Sequence, residues 1–185
     1  MLTPNDGVRC EVCDAPGTDC CASTKELIMR APFLYGGPLA DAIVAGKFLS
    51  REDLMRGLGR LLADNANLED CTAVVPIPLA SRRRFERGYN QSVLIAREVS
   101  REHRIPLIYG LKRIRPTARQ HERSLADRRT NVAGVFASSK RFSGRVALID
   151  DVITSGETMR SAARVLREAG ASEVVALAIA RTPRL

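Results

Sequence analysis

The chain has no tryptophan, and aromatic residues make up only 4% of its 185 positions. Its core must be built from aliphatic side chains, and few flat rings are on hand for stacking nucleobases. No run approaches the ~20 consecutive apolar residues that cross a bilayer, so no membrane span is expected. The N-terminal stretch MLTPNDGVRCEVC lacks the basic and apolar regions of a secretory signal. A cytoplasmic protein is expected, with reduced thiols, so the five cysteines should be free or metal-bound rather than disulfide-bonded. No Gly-Lys-Ser or Gly-Lys-Thr occurs, which excludes a Walker-type phosphate loop. Internal repeats and low-complexity tracts are absent too.

What is present is an apolar fraction of 45%, enough for a real core, and a strong basic balance. Lys and Arg number 29 against 21 acids, for a formal net charge of +8. Such a balance points to polyanionic partners: phosphates, nucleotides or nucleic acid. A generally soluble basic surface is the plainer alternative. The length fits one domain with a small appendage. Four cysteines fall within positions 10–21, among Gly, Pro, Asp and Thr, so residues 1–35 are expected as a Cys-rich front lobe and 36–185 as the main domain.

Along the main domain, Leu39, Ala42, Ile43, Leu54, Leu58, Leu61 and Leu62 recur at helical spacing between Pro38 and Ala66. TAVVPIPL (Thr72 to Leu79) reads as a buried strand, PLIYGLKRI as a second one, and 90–102 as a helix. A strand over 145–150, a helix over 157–169 with Gly170 as its cap, and a strand over 173–180 follow. Alternating strands and helices argue for an α/β fold with a parallel sheet covered on both faces. Cys71, before the first long strand, reads as a core residue.

The stretch RVALIDDVITSGET carries the chemistry. Ligands of open α/β sheets bind at the carboxyl ends of strands, and Asp150 and Asp151 stand at one. Thr154, Ser155, Gly156, Glu157 and Thr158 then run into a helix N-terminus, with its unpaired N–H groups and partial positive charge. Gly156 lets the backbone approach a ligand, and hydroxyls add donors, which suits a phosphate. Two carboxylates beside that cup suit the vicinal hydroxyls of a ribose. An ordinary capped turn would explain one hydroxyl, not the adjacent acids and the whole TSGET run.

VALIDDVITSGET resembles the 5-phosphoribosyl-1-pyrophosphate (PRPP) motif of type I phosphoribosyltransferases. The resemblance implies that fold, with Asp150 and Asp151 on the ribose 2′- and 3′-hydroxyls and Thr154 to Thr158 on the 5′-phosphate. VVPIPLASRRRFERGYNQS, RPTARQ…RRTNVAGVF, YGGPLADAIVAGKF and the cysteine cluster resemble the ComF family, which includes ComFC and GntX-like proteins. It implies Leu79, Ala80, Ser81 and Arg82 on pyrophosphate, and Arg115, Gln120, Arg129 and Asn131 in a hood loop that closes over substrate. His121 in that loop is a conceivable proton carrier, or simply an exposed side chain. Arg83, Arg84 and Arg87 would neutralise further phosphate or form a solvated basic face, while Gly88 and Asn90 would cap the helix or touch ligand.

Cys10 and Cys13 have the spacing of a zinc half-site. Cys20 and Cys21 are adjacent, so one loop would have to present both sulfurs; a complete four-thiolate zinc site and a partial one both stay open. Mg2+ is expected with PRPP, held by pyrophosphate and ribose oxygens. The activity implied is transfer of ribose 5-phosphate to an acceptor, with Asp150 and Asp151 as catalytic residues positioning the ribose. A PRPP-binding regulator without turnover is the alternative. So is a protein that handles single-stranded DNA in natural transformation, alongside a competence helicase.

Overall fold

The computed structural model describes residues 2–4, 27–114 and 134–183, and Ser81 and Arg82 in their backbone only. In chain order the elements are β1 (Ile28–Arg30), β2 (Phe33–Leu34), α1 (Gly37–Phe48), α2 (Glu52–Asp64), β3 (Cys71–Pro76) and α3 (Ser81–Arg87). Then come α4 (Gln91–His103), β4 (Leu111–Arg113), β5 (Phe136–Ser138), β6 (Arg145–Ile153), α5 (Glu157–Glu168) and β7 (Glu173–Arg181).

Runs of β-branched and small apolar residues make the central strands, and nearly every residue of β7 is buried. β6 lies between β3 and β7, and β1 and β2 both pair with the far edge of β7; every pairing is parallel. β1 and β2 lie within the span expected of the front lobe, yet they are strands of the main sheet.

The sheet is covered on both sides. Val146 and Leu148 of β6 share one core with Met159, Ala162 and Leu166 of α5. Ala147 and Ile149 share the other with Ile43 of α1, Leu62 of α2 and Ile95 and Val99 of α4. The α/β class with a parallel, doubly covered sheet is therefore observed. Among the described residues no helix is long and apolar enough to cross a membrane.

Three expected elements change shape. The helical pattern of 38–66 divides at Leu49–Arg51, where Ser50 has φ 53. The break folds α2 back on α1, so closely that a Cβ on Gly46 would lie 2.0 Å from Met55 Cε. The strand expected over 106–114 also divides. Leu107 forms a parallel bridge with Val74, whereas Leu111–Arg113 pairs antiparallel with β5 in a separate ribbon. The carbonyl of Gly110 accepts from Ser139 N at 3.0 Å and Ser138 Oγ at 3.2 Å, which draws the chain off the sheet. Cys71 opens β3 instead of preceding it and is half-buried; burial pushes its thiol pKa up.

The third change is at the acids. β6 does not end at 150; its pairing with β7 runs on through Val152 with Ala180 and Ile153 with Arg181. Asp150 and Asp151 thus lie inside a strand, and the turn begins only at Thr154. The physical reason is the length of β7, which continues to Arg181 and offers backbone partners past Ala178.

Candidate functional site

β3 pairs with β6 only as far as Pro76 with Ile149, so the last four residues of β6 project beyond it. From β3 the chain leaves to α3 and α4 on one face; from β6 it leaves to α5 on the other. Neighbouring strands that part to opposite faces open a crevice at their carboxyl ends, the usual ligand site of such sheets. Asp150 and Asp151 floor it.

Strict strand alternation would point adjacent acids to opposite faces. Here the alternation slips: Ile149 and Val152 belong to the core of α1, α2 and α4, and Ile153 to the core of α5. Side chains from that same helical face reach both acids. Ser92 Oγ of α4 donates to Asp150 Oδ1 at 2.7 Å, and the Asp151 N–H donates to the same oxygen at 3.0 Å. Lys47 Nζ, in the last turn of α1, lies 2.9 Å from Asp151 Oδ2.

Each partner is placed by local structure. Asn90 N-caps α4 by accepting from Ser92 N at 3.1 Å, and its amide donates to the Ile77 carbonyl at 2.9 Å, which ties the helix start to the end of β3. The Tyr89 hydroxyl donates to the Gly46 carbonyl, which fixes the end of α1 that bears Lys47. Segments 45–48, 89–92 and 150–151 thus form one constellation.

Its electrostatics are unbalanced, with two carboxylates against one ammonium. Burial, first, and the neighbouring Asp151 push the pKa of Asp150 up to about 7, against the opposing pull of Ser92, the Asp151 N–H and Lys47. Arg113 stands nearby; burial and Arg83 lower its pKa while Asp150 opposes them, and its guanidinium lies 5.2 Å from the Phe136 ring centre. The Gln91 side chain, 1% exposed at the start of α4, has neither amide atom hydrogen-bonded among the described residues. A hard divalent cation and ribose hydroxyls fit this donor set: anionic oxygens in excess and no soft ligand. Among the described residues no three His, Cys, Asp or Glu groups converge, so a cation here would take most of its oxygens from substrate and water.

The expected phosphate loop begins where β6 ends. Thr154, Ser155, Glu157 and Thr158 are exposed and Gly156 is buried. Ser155 Oγ accepts from Glu157 N at 3.4 Å, and Arg160 Nη1 donates to the Ser155 carbonyl at 2.9 Å. Gly156 N-caps α5 with φ 76, and an added Cβ would meet Met29 Sδ at 2.9 Å. Gly156→Ala is therefore expected to lose about 1–2 kcal/mol of stability from left-handed strain. Urea unfolding checks it; an alanine variant as stable as the parent would contradict the turn geometry.

Leu79 and Ala80 form the turn after β3, with Ala80 as N-cap of α3, and Ser81 and Arg82 open that short helix. Gly88 closes α3 in a left-handed conformation. Gly88 and Asn90 are therefore helix caps. Arg115, Gln120, His121, Arg129, Asn131 and Cys10, Cys13, Cys20 and Cys21 lie outside the described residues. Sequence reasoning missed Lys47, Ser92 and Arg113. Ser92 was visible only as part of a helix start, and Lys47 only as a basic residue in a helix's last turn, where it complements the dipole.

No family model matches the chain. Among known proteins it is 29% identical to the DNA utilization protein YhgH of Escherichia coli, over 97% of this chain and 87% of that one. Among solved structures it is similar to glutamine phosphoribosylpyrophosphate amidotransferase of B. subtilis, at 26% identity and a TM-score of 0.49, over 72% of this chain and 30% of that enzyme. It is 35% identical over 159 residues to competence protein F of Haemophilus influenzae, a match spanning 80% of this chain and 69% of that protein. Identity of that extent, over more than two thirds of both chains, makes this protein a member of the ComF family.

Proposed function

We propose that the crevice between β3 and β6 binds PRPP with Mg2+ and transfers its ribose 5-phosphate to an acceptor, in a reaction that serves DNA utilisation or competence. The observation that carries this reading is the convergence of Asp150, Asp151, Lys47 and Ser92 at a sheet switch point, directly before a phosphate-shaped loop. Asp150 and Asp151 would accept hydrogen bonds from the ribose 2′- and 3′-hydroxyls. The backbone N–H groups of 154–158, at the start of α5, would hold the 5′-phosphate. The turn from Leu79 to Arg82 would hold pyrophosphate, and the hood residues Arg115, Gln120, Arg129 and Asn131 would shield the sugar from water.

In the step itself the C1–O bond to pyrophosphate breaks and its electron pair leaves with pyrophosphate. A lone pair of the acceptor forms the new bond to C1, and the acceptor's proton passes to solvent. The carboxylates stabilise the positive charge that develops on the sugar. When bound, Mg2+ would neutralise the leaving group. We also keep zinc on Cys10, Cys13, Cys20 and Cys21 as a proposal for the front of the chain.

The DNA setting is taken from the names of the H. influenzae and E. coli relatives together with the basic charge. A competence helicase as partner belongs to the same proposal. The test is pyrophosphate release from PRPP against a panel of bases and amines, with calorimetry of PRPP binding in parallel. Release with one acceptor supports transfer. Binding without release under every acceptor would make the protein a PRPP-responsive regulator, and no binding with Mg2+ present would overturn the reading.

A further inference from the structure

Lys47 faces two sites. Its Nζ lies 2.9 Å from Asp151 Oδ2 on the floor of the crevice. The same side chain lines a surface cleft of about 370 Å³ between the end of α1 and α3. Arg83 and Arg87, one helical turn apart, line that cleft from α3, and among the described residues neither forms an ion pair. Glu86 is the acid beside them. The cleft is therefore rich in cations and the crevice rich in carboxylates, and Lys47 stands between the two. An anion in the cleft competes with Asp151 for its ammonium.

The backbone that carries Lys47 is held in place. Tyr89 donates to the Gly46 carbonyl, and Gly46 packs directly against Met55 of α2. Only the four-carbon stem is free to move, and its ammonium can donate in three directions. On the crevice side one oxygen of each carboxylate is already engaged. Ser92 Oγ and the Asp151 N–H share Asp150 Oδ1, and Lys47 sits on Asp151 Oδ2. On the cleft side α3 starts at the turn assigned above to pyrophosphate, and Arg83 follows that turn directly.

We propose that Lys47 is a latch on the ribose site, opened by the pyrophosphate arm of PRPP. The ammonium leaves Asp151 for pyrophosphate oxygens beside Arg83 and Arg87, and Asp151 is released to accept from the ribose. The inference rests on the PRPP reading above and adds an order to it: the arm engages first, and the ribose seats second. Pulling Lys47 from Asp151 with nothing in exchange strands a partly buried charge. A ribose arriving alone bears that cost, whereas pyrophosphate removes it. The two halves of the substrate thus help each other to bind, and the coupling is reciprocal.

The test is calorimetry of ribose 5-phosphate binding to the full chain in buffer with EDTA, alone and with saturating inorganic pyrophosphate. In the parent, pyrophosphate should raise the affinity for ribose 5-phosphate about ten-fold, within the usual span of such couplings. In Lys47→Met the rise should vanish or reverse, because two anions that share a site without the latch repel each other. A parent with no rise, or a Lys47→Met protein that keeps it, would overturn the proposal. Should Lys47→Met not fold, Asp151→Asn carries the test, since its Lys47 is already released. Pyrophosphate should bind that variant about ten-fold more tightly than the parent, a coupling of the same order. Asp150→Asn, which removes a charge that Lys47 does not hold, should gain far less; equal gains would overturn the latch. A parent that binds PRPP with Mg2+ but shows no coupling loses the latch alone. One that binds neither ribose 5-phosphate nor PRPP loses the reading of the crevice as well.

Discussion

Asp150→Asn is expected to make the unliganded protein more stable at pH 8 while abolishing its binding of PRPP with Mg2+. The carboxyl sits beside Asp151 in a partly buried position, and its pKa is pushed up to about 7. A carboxyl whose pKa is raised by folding favours the protonated form. Its contribution to stability is therefore full below about pH 4, falls as pH rises to about 7, and is flat above that. The cost at pH 8 has a ceiling of ~4 kcal/mol, at 1.36 kcal/mol per pKa unit. Asparagine keeps the oxygen that accepts from Ser92 Oγ and the Asp151 N–H, and removes the charge. Urea unfolding at pH 5 and pH 8 measures it: the parent should lose stability across the interval and the variant should lose less. Equal slopes, or a variant weaker at pH 8, would contradict the geometry. On the ligand side, a folded Asp150→Asn, Asp151→Asn protein that still binds PRPP with parental affinity by calorimetry would remove the acids from the site.

Lys47→Met is expected to act in the opposite direction. Its ammonium is the cation on Asp151, at 2.9 Å, and the two side chains keep only 20% and 12% of their exposure. Removing one partner of a buried pair leaves the other charge uncompensated, which costs about 3–5 kcal/mol in a dry interior. The solvent that still reaches this pair lowers the expected loss to ~2–3 kcal/mol. The methionine stem fills most of the same volume, so packing is largely kept. Adding Asp151→Asn should recover much of the loss, because the stranded carboxylate is then gone. A double-mutant cycle reads this as a coupling of roughly 1–3 kcal/mol. Additive losses would mean that Lys47 matters through packing or through the helix dipole and not through Asp151.

Much of the site was legible from composition and local pattern. The apolar run before Asp150 marked a buried strand, and Gly156 with its flanking hydroxyls marked the turn into α5. Both are local properties, fixed by neighbours within a few residues. Gly170, just past the end of α5, was legible as a helix stop for the same reason, and its φ of 109 agrees.

Other features depended on contacts between distant segments. Residues 106–114 look like one strand, but whether they stay on the sheet depends on which partners Gly110 and Leu107 find. The local pattern around Phe85 does not say whether it packs; among the described residues it is 93% exposed. What the sequence by itself determined is the α/β class, the doubly covered sheet, and the acid pair before a phosphate-shaped turn. Periodicity and turn chemistry need no knowledge of the rest of the chain. What only the tertiary structure decided is the site's charge balance. A break in the side-chain alternation of β6 between Ile149 and Ile153, along a pairing with β7 that stays in register, leaves Asp150 and Asp151 within reach of α4 and α1. Ser92 and Lys47 lie 58 and over a hundred residues from them in the chain, so only packing two helices on the same face of the sheet could place a hydroxyl and an ammonium on those carboxylates.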